Sequence, residues 1–76
     1  MPEPTAFRLR PADDYIELTQ LLKAASVVQS GGHAKVLIAE GRVRVNGEVE
    51  PRRRRKLVPG DEVSANGATV VVVGAE

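Results

Sequence analysis

The chain has 76 residues, 42% of them hydrophobic, and a formal net charge of +1. This length supplies one small hydrophobic core, so we expect a single domain over residues 1–76. The absence of cysteine excludes disulfides and cysteine-based zinc sites. Residues 1–4 lack the basic start and apolar stretch of a signal peptide, and no apolar run approaches the length of a membrane span. The sequence therefore predicts a soluble cytoplasmic protein with no membrane partner.

The basic charge is concentrated in one segment. Residues 42–56 contain seven basic and two acidic side chains, whereas segments 1–41 and 57–76 are both net acidic. Such a patch attracts polyanions even when the whole protein is nearly neutral.

The first half of the chain predicts one strand and two helices. Apolar and basic residues alternate over residues 5–10, the period of a half-buried strand. Thr19 is a candidate cap for the first helix and Ser30 for the second, and Gly41 fits the position just past the second. The expected apolar stripes are Leu18, Leu21, Leu22 and Ala25 in the first helix, and Ala34, Leu37 and Ile38 in the second.

The second half predicts two hairpins, each with an Asn-Gly turn. At Asn46-Gly47, a two-residue loop would place Val45 opposite Glu48. A longer loop or a bulge would place Val45 opposite Val49 and keep apolar residues on one face, so we favour it.

The turn at residues 66–67 gives a self-consistent register with a two-residue loop. It pairs Ala65 with Ala68 and Val63 with Val70. The valine run over residues 70–73 must lie within a sheet, because an exposed run of this kind invites aggregation. The predicted fold class is α+β, with two short packed helices on a small, mostly antiparallel sheet.

Residues 51–56 predict a basic loop containing Arg52, Arg53, Arg54, Arg55 and Lys56. Arginine pairs bidentately with phosphate oxygens, and adjacent arginines on a loop can meet several phosphates along a backbone. Four consecutive arginines also repel one another, so the cluster requires a compensating cause. Nucleic acid is the favoured partner; a solvated loop or a site for an acidic protein is the alternative.

Further candidates lie outside the cluster. Arg42 and Arg44 alternate with valines, so they should project from the solvent face and extend the patch toward the second helix. Gly31 and Gly32 would leave helix N–H groups open to anions, although a simple tight turn explains them equally well. Lys35 lies one turn into that helix, and Lys23 is a weaker candidate.

No group of residues predicts catalysis, a metal site, a cofactor or a small-molecule substrate. His33 is the only histidine, and the paired acids at 13–14 and 61–62 lie in turns. Phe7 and Tyr15 are the only aromatic residues, whereas proteins that grip single strands stack bases on aromatic platforms. Folded RNA, held by its phosphates and shape, fits this chain better.

Four segments match a known pattern in the same order: Leu18–Lys23, Ser30–Ile38, Gly41–Glu48 and Gly60–Val63. Together they resemble the S-four-type RNA-binding domain, also called the alpha-L motif, and more closely its small free-standing bacterial members. The resemblance covers about residues 16–63, with predicted flanking strands at 5–10 and 68–73.

The resemblance implies a pair of helices packed on a small sheet, with structured RNA along the helices and the adjoining loop. Lys35, Arg42 and Arg44 fall where the family has basic residues near RNA. Two positions depart from the pattern: Glu17-Leu18-Thr19 replaces a common Arg-Leu-Asp, and Ser30-Gly31 replaces Ser/Thr-Arg. The arginine cluster would then take over the missing contacts and shift the footprint toward the hairpin loop.

The expected function is non-catalytic binding of structured RNA, with ribosomal RNA and the ribosome as the first candidate partners, by a monomer. Two alternatives stay open. One is a protein-interaction module for an acidic partner. The other is a DNA-binding protein, although His33, Lys35 and Glu40 are a poor set for recognising bases in the major groove.

Overall fold

The computed structural model describes residues 4–75. Residues 1–3 and 76, which include most of the segment considered for a signal peptide, lie outside the described part. The elements in chain order are β1 (Thr5–Arg8), β2 (Ile16–Glu17), α1 (Leu18–Ala24), α2 (Gly31–Ala39), β3 (Val43–Val45), β4 (Glu48–Val49), β5 (Lys56–Leu57), β6 (Glu62–Ala65) and β7 (Ala68–Val73).

Five strands form the main sheet in the order β1-β7-β6-β3-β4, and β2 pairs with β5 in a second, two-stranded sheet. Strand β1 runs parallel to β7, and all other described pairs are antiparallel. The apolar stripes of both helices pack with the inward-facing valines of the main sheet in one core. The predicted α+β class is therefore confirmed.

The valine run occupies an interior strand of the main sheet. Strand β7 lies between β1 and β6, with Val70 and Val72 buried against the helices. The β6–β7 hairpin has the predicted register, with Ala65 opposite Ala68 and Val63 opposite Val70. The expected first strand is shorter than 5–10: it ends at Arg8, after which only the Leu9 N–H continues the ladder, donating to the carbonyl of Val73 at 3.0 Å.

The favoured register of the β3–β4 hairpin was wrong. Val45 lies opposite Glu48, as a two-residue loop requires, and Arg44 lies opposite Val49. Asn46 explains this register, because its φ of +53° suits the tight turn and its side chain is tied to β6. Its amide donates to Asp61 at 3.1 Å, and its carbonyl oxygen accepts from the Glu62 N–H at 2.9 Å.

The helix caps confirm one prediction and overturn another. Ser30 caps α2 by accepting from the His33 N–H at 3.1 Å, and Gly41 ends that helix with a φ of +73°. Thr19 is not the cap of α1. The N-cap is Glu17, which forms a capping box with Gln20, so Thr19 lies inside the first turn.

Candidate nucleic-acid interface

The four arginines form a loop, residues 52–55, between β4 and β5; we call it the arginine loop. It is shorter than the predicted 51–56 basic loop at its far end, because Lys56 belongs to β5 and pairs with Glu17. Its backbone is docked on the start of α1. The Leu18 N–H donates to the carbonyl of Arg55 at 2.9 Å, and the Thr19 N–H donates to that of Arg53 at 3.2 Å. These bonds satisfy N–H groups that a helix start leaves without intrahelical partners.

A buried acid lies under the arginine loop. Glu50 is 3% exposed and is the only charged residue buried within the described part of the chain. Arg52 donates to its carboxylate from the backbone N–H at 3.0 Å, from Nε at 3.1 Å and from Nη2 at 3.2 Å. Arg55 donates from Nη1 at 2.7 Å. The hydrogen bonds from Arg52 and Arg55 outweigh burial and lower the pKa of Glu50 from 4.5 to about 2.

A second acid holds a third arginine. Arg54 Nε lies 3.3 Å from Oε2 of Glu17, the residue that also caps α1. Glu50 and Glu17, which are far apart in the sequence, thus bind three of the four arginines. Arg53 is exposed, and no described residue forms an ion pair or a side-chain hydrogen bond with it.

Lys56, the first residue after the arginine loop, lies next to an aromatic ring. Its Nζ lies 4.8 Å from the centre of the Tyr15 ring, a cation–π distance, and Tyr15 is 42% exposed. This contact fixes Lys56 beside the loop while both side chains stay accessible to solvent.

Arg44 lies on the face of the sheet opposite the helices, and Arg42 lies between that face and the end of α2. In β3, Val43 and Val45 are buried against the helices, so the alternating Arg44 projects from the opposite face of the sheet. There, Arg44 Nη1 donates to the carbonyl of Gly47 at 3.3 Å, and both arginines line a shallow depression with residues 64–69. Arg42 does reach toward α2, since its Nε lies 3.4 Å from Glu40 at the end of that helix.

The helix candidates are open to solvent. Lys23 in the last turn of α1 and Lys35 in α2 are exposed, and neither forms a side-chain bond with any described residue. Gly31 and Gly32 are the first two residues of α2, as expected. A Cβ added at Gly31 would meet no atom within 4 Å, so packing does not require glycine there and the helix start is uncovered.

Sequence reasoning missed Glu50. The two-residue turn extends the β3–β4 ladder so that the Glu50 N–H donates to the carbonyl of Val43 at 2.9 Å, which places Glu50 on the buried face. The bulged register would have turned it outward. The available signal was its position directly before Pro51 and four mutually repelling arginines.

No group of three or more His, Asp or Glu side chains within residues 4–75 is arranged to hold a metal ion. Neither α1 nor α2 is long and apolar enough to span a bilayer.

A family model for the S4 domain matches residues 9–73. The chain belongs to the S4 domain family. The match extends beyond the expected 16–63 at both ends, because it takes in the end of the first strand segment and all of β7.

Two bacterial relatives are about half identical to this S4 domain over the matched residues. YbcJ of Escherichia coli strain K12, whose name puts forward RNA binding, is 49% identical over 59 residues, covering 78% of this chain and 84% of YbcJ. RlbA of Bacillus subtilis strain 168, whose name provisionally assigns it to ribosome maturation, is 50% identical over 54 residues, covering 71% of this chain and 76% of RlbA.

The solution structure of E. coli YbcJ has the same fold as this S4 domain. It superposes with a TM-score of 0.72 at 44% identity, covering 96% of this chain and 91% of YbcJ. That structure is described as having an alpha-L motif involved in RNA binding.

Proposed function

We propose that this S4 domain binds structured RNA through the arginine loop and acts by binding alone. The observation that carries the proposal is the loop itself: its backbone is docked on α1, and the exposed side chain of Arg53 has no partner among the described residues. A guanidinium on a fixed backbone can meet a phosphate without first ordering the chain. The name of the E. coli relative YbcJ and the description of its structure support the same chemistry.

The remaining basic residues would extend the footprint on two sides. Lys35, Lys23 and the open start of α2 at Gly31 and Gly32 lie on the helix layer, and Lys56 lies beside the loop. Arg44 projects from the other face of the sheet and Arg42 lies near the end of α2, so an RNA touching Arg44 and the helix layer must pass around an edge of the sheet. Phosphate contacts of this kind supply affinity and little sequence preference.

Ribosomal RNA is the first RNA we would test, because the B. subtilis relative is named for ribosome maturation. We place the protein in the cytoplasm as a monomer, with residues 1–76 acting as one domain. Catalysis is not part of the proposal, since the polar groups gathered at the arginine loop are cations held by two carboxylates, Glu17 and Glu50, each already bonded to arginine.

A competition experiment tests the proposal. The full chain is titrated against a labelled ribosomal RNA fragment containing helices and loops, with unlabelled RNA, DNA duplex of equal length and an acidic polypeptide as competitors. We expect RNA to displace the probe at much lower concentration than either competitor. Equal displacement by the duplex would favour DNA binding. The absence of any RNA binding at low salt would overturn the proposal, and binding to the acidic polypeptide would then favour a protein-interaction module.

A further inference from the structure

The buried acid under the arginine loop, Glu50, should oppose polyanion binding by its charge. We infer that Glu50 is instead a positioning residue for RNA: its buried carboxylate holds Arg52 and Arg55 in one arrangement and so shapes the surface that Arg53 presents. This inference rests on the proposed function.

The contacts at Glu50 fix Arg52 in a defined orientation. Nε and Nη2 of Arg52 pair side-on with the two carboxylate oxygens, and its backbone N–H binds one of them as well. Side-on pairing fixes the plane of a guanidinium as well as its position. The Arg52 side chain is nevertheless 70% exposed, so the edge that carries Nη1 faces away from Glu50 and remains open to a phosphate.

Arg55 has a different role at the same carboxylate. Its side chain is 30% exposed, and its Nη1 lies 2.7 Å from Oε1 of Glu50, the shortest ion pair in the described structure. The carbonyl of Arg55 also accepts from the Leu18 N–H of α1. Arg55 thus links the buried acid to the helix and closes the loop from its far end.

The two attachments leave the loop little freedom. Glu50 holds residues 52 and 55 from below, and α1 holds the carbonyls of residues 53 and 55 from the side. Repulsion among four adjacent arginines would otherwise spread the loop, and the carboxylate offsets it. Arg53 lies between the two anchored arginines, so its backbone direction is set before any ligand arrives.

Charge and positioning predict opposite effects when Glu50 is neutralised. Removing a negative charge from a surface that binds a polyanion strengthens binding if charge alone matters. If Glu50 positions the loop, its removal frees two long side chains, and ordering them again on binding opposes association. The sign of the change therefore separates the two roles.

The experiment compares Glu50→Gln with Glu48→Gln. Each variant removes one negative charge, and the two positions lie two residues apart. Glu48 differs from Glu50 because it is exposed and makes no described side-chain bond. Binding to the labelled RNA fragment is measured at one fixed salt concentration, and folding is checked by circular dichroism. We expect E48Q to bind as tightly as the wild type or slightly more tightly, and E50Q to bind on the order of tenfold more weakly. Tighter binding by folded E50Q, matching E48Q, would overturn the inference.

A measurement on the wild type keeps the inference testable if E50Q fails to fold. In the free protein, the Nε–H of Arg52 should exchange with water more slowly than that of Arg53 by nuclear magnetic resonance, because only the former donates to a buried carboxylate. On adding RNA, the Arg53 resonance should shift most. Equal exchange rates in the free protein would show that Glu50 does not hold the loop. If the Arg52 Nε–H exchanges slowly but the protein does not bind RNA, the proposed function is contradicted, whereas the positioning of the loop by Glu50 still holds.

Discussion

At the scale of single residues, Glu50 makes the stability of this protein depend on pH. Its pKa of about 2 in the folded chain lies below the unfolded value of 4.5 because Arg52 and Arg55 bind its ionised form. A depressed carboxyl pKa stabilises the folded state at pH values above the unfolded pKa. That contribution is lost as the pH falls from about 4.5 toward 2, where the carboxylate becomes protonated in both states.

The prediction is a difference between two acid titrations. Urea unfolding of the wild type should show a loss on the order of 2 kcal/mol from Glu50 between about pH 5 and pH 2, after allowance for the exposure of Arg52. Glu50→Gln lacks this contribution, so its free energy of unfolding should vary less over the same range. Parallel curves for the two proteins would show that Glu50 is not held by its arginines in solution.

At the scale of elements, the sequence predicted correctly those features that depend on residues close together in the chain. The leucine stripe of α1, the Ser30 cap and the Asn66-Gly67 register all follow from residues within a turn or two of one another. The β3–β4 register does not, because Asn46 is fixed by Asp61 and Glu62, some 15 residues further along the chain. The same error concealed the burial of Glu50, because the register decides which face of the hairpin its side chain lies on.

The two Asn-Gly turns offer a matched test of this explanation. Asn46 and Asn66 have φ values of +53° and +52°, so glycine suits both backbones equally. Asn46→Gly loses two side-chain hydrogen bonds, one to Asp61 just before β6 and one to Glu62 at the start of β6. Asn66→Gly loses one long hydrogen bond, to the Val27 carbonyl at 3.3 Å. We expect N46G to lower the free energy of unfolding by about 1–2 kcal/mol and N66G by clearly less, as measured with urea. Equal losses would mean that the contact with β6 does not select the register.

At the scale of the whole molecule, sequence reasoning identified the family and the segment that carries the charge. Each family motif, like the basic segment, is a continuous stretch of the chain, so both can be recognised from the sequence alone. How the charge is distributed in space was not visible. Strand alternation places Arg44 on the face of the sheet opposite the helices, while Glu17 and Glu50, distant from each other in sequence, converge on the arginine loop. Arg44 is thus separated by the sheet from the arginine loop, which is docked on α1.

The central claim is that the arginine loop contacts RNA phosphates, and the salt dependence of binding tests it most directly. The measurement compares the wild type, Arg53→Ala and Arg8→Ala across a series of salt concentrations with the same RNA fragment. Arg8 is the matched control, because it is exposed on β1 at the opposite edge of the sheet and binds the Gly74 carbonyl. The account predicts that R53A lowers the salt slope by roughly 0.7–0.9, the equivalent of one phosphate contact, and that R8A leaves it unchanged. Equal slopes for R53A and the wild type, or an equal loss in R8A, would contradict it.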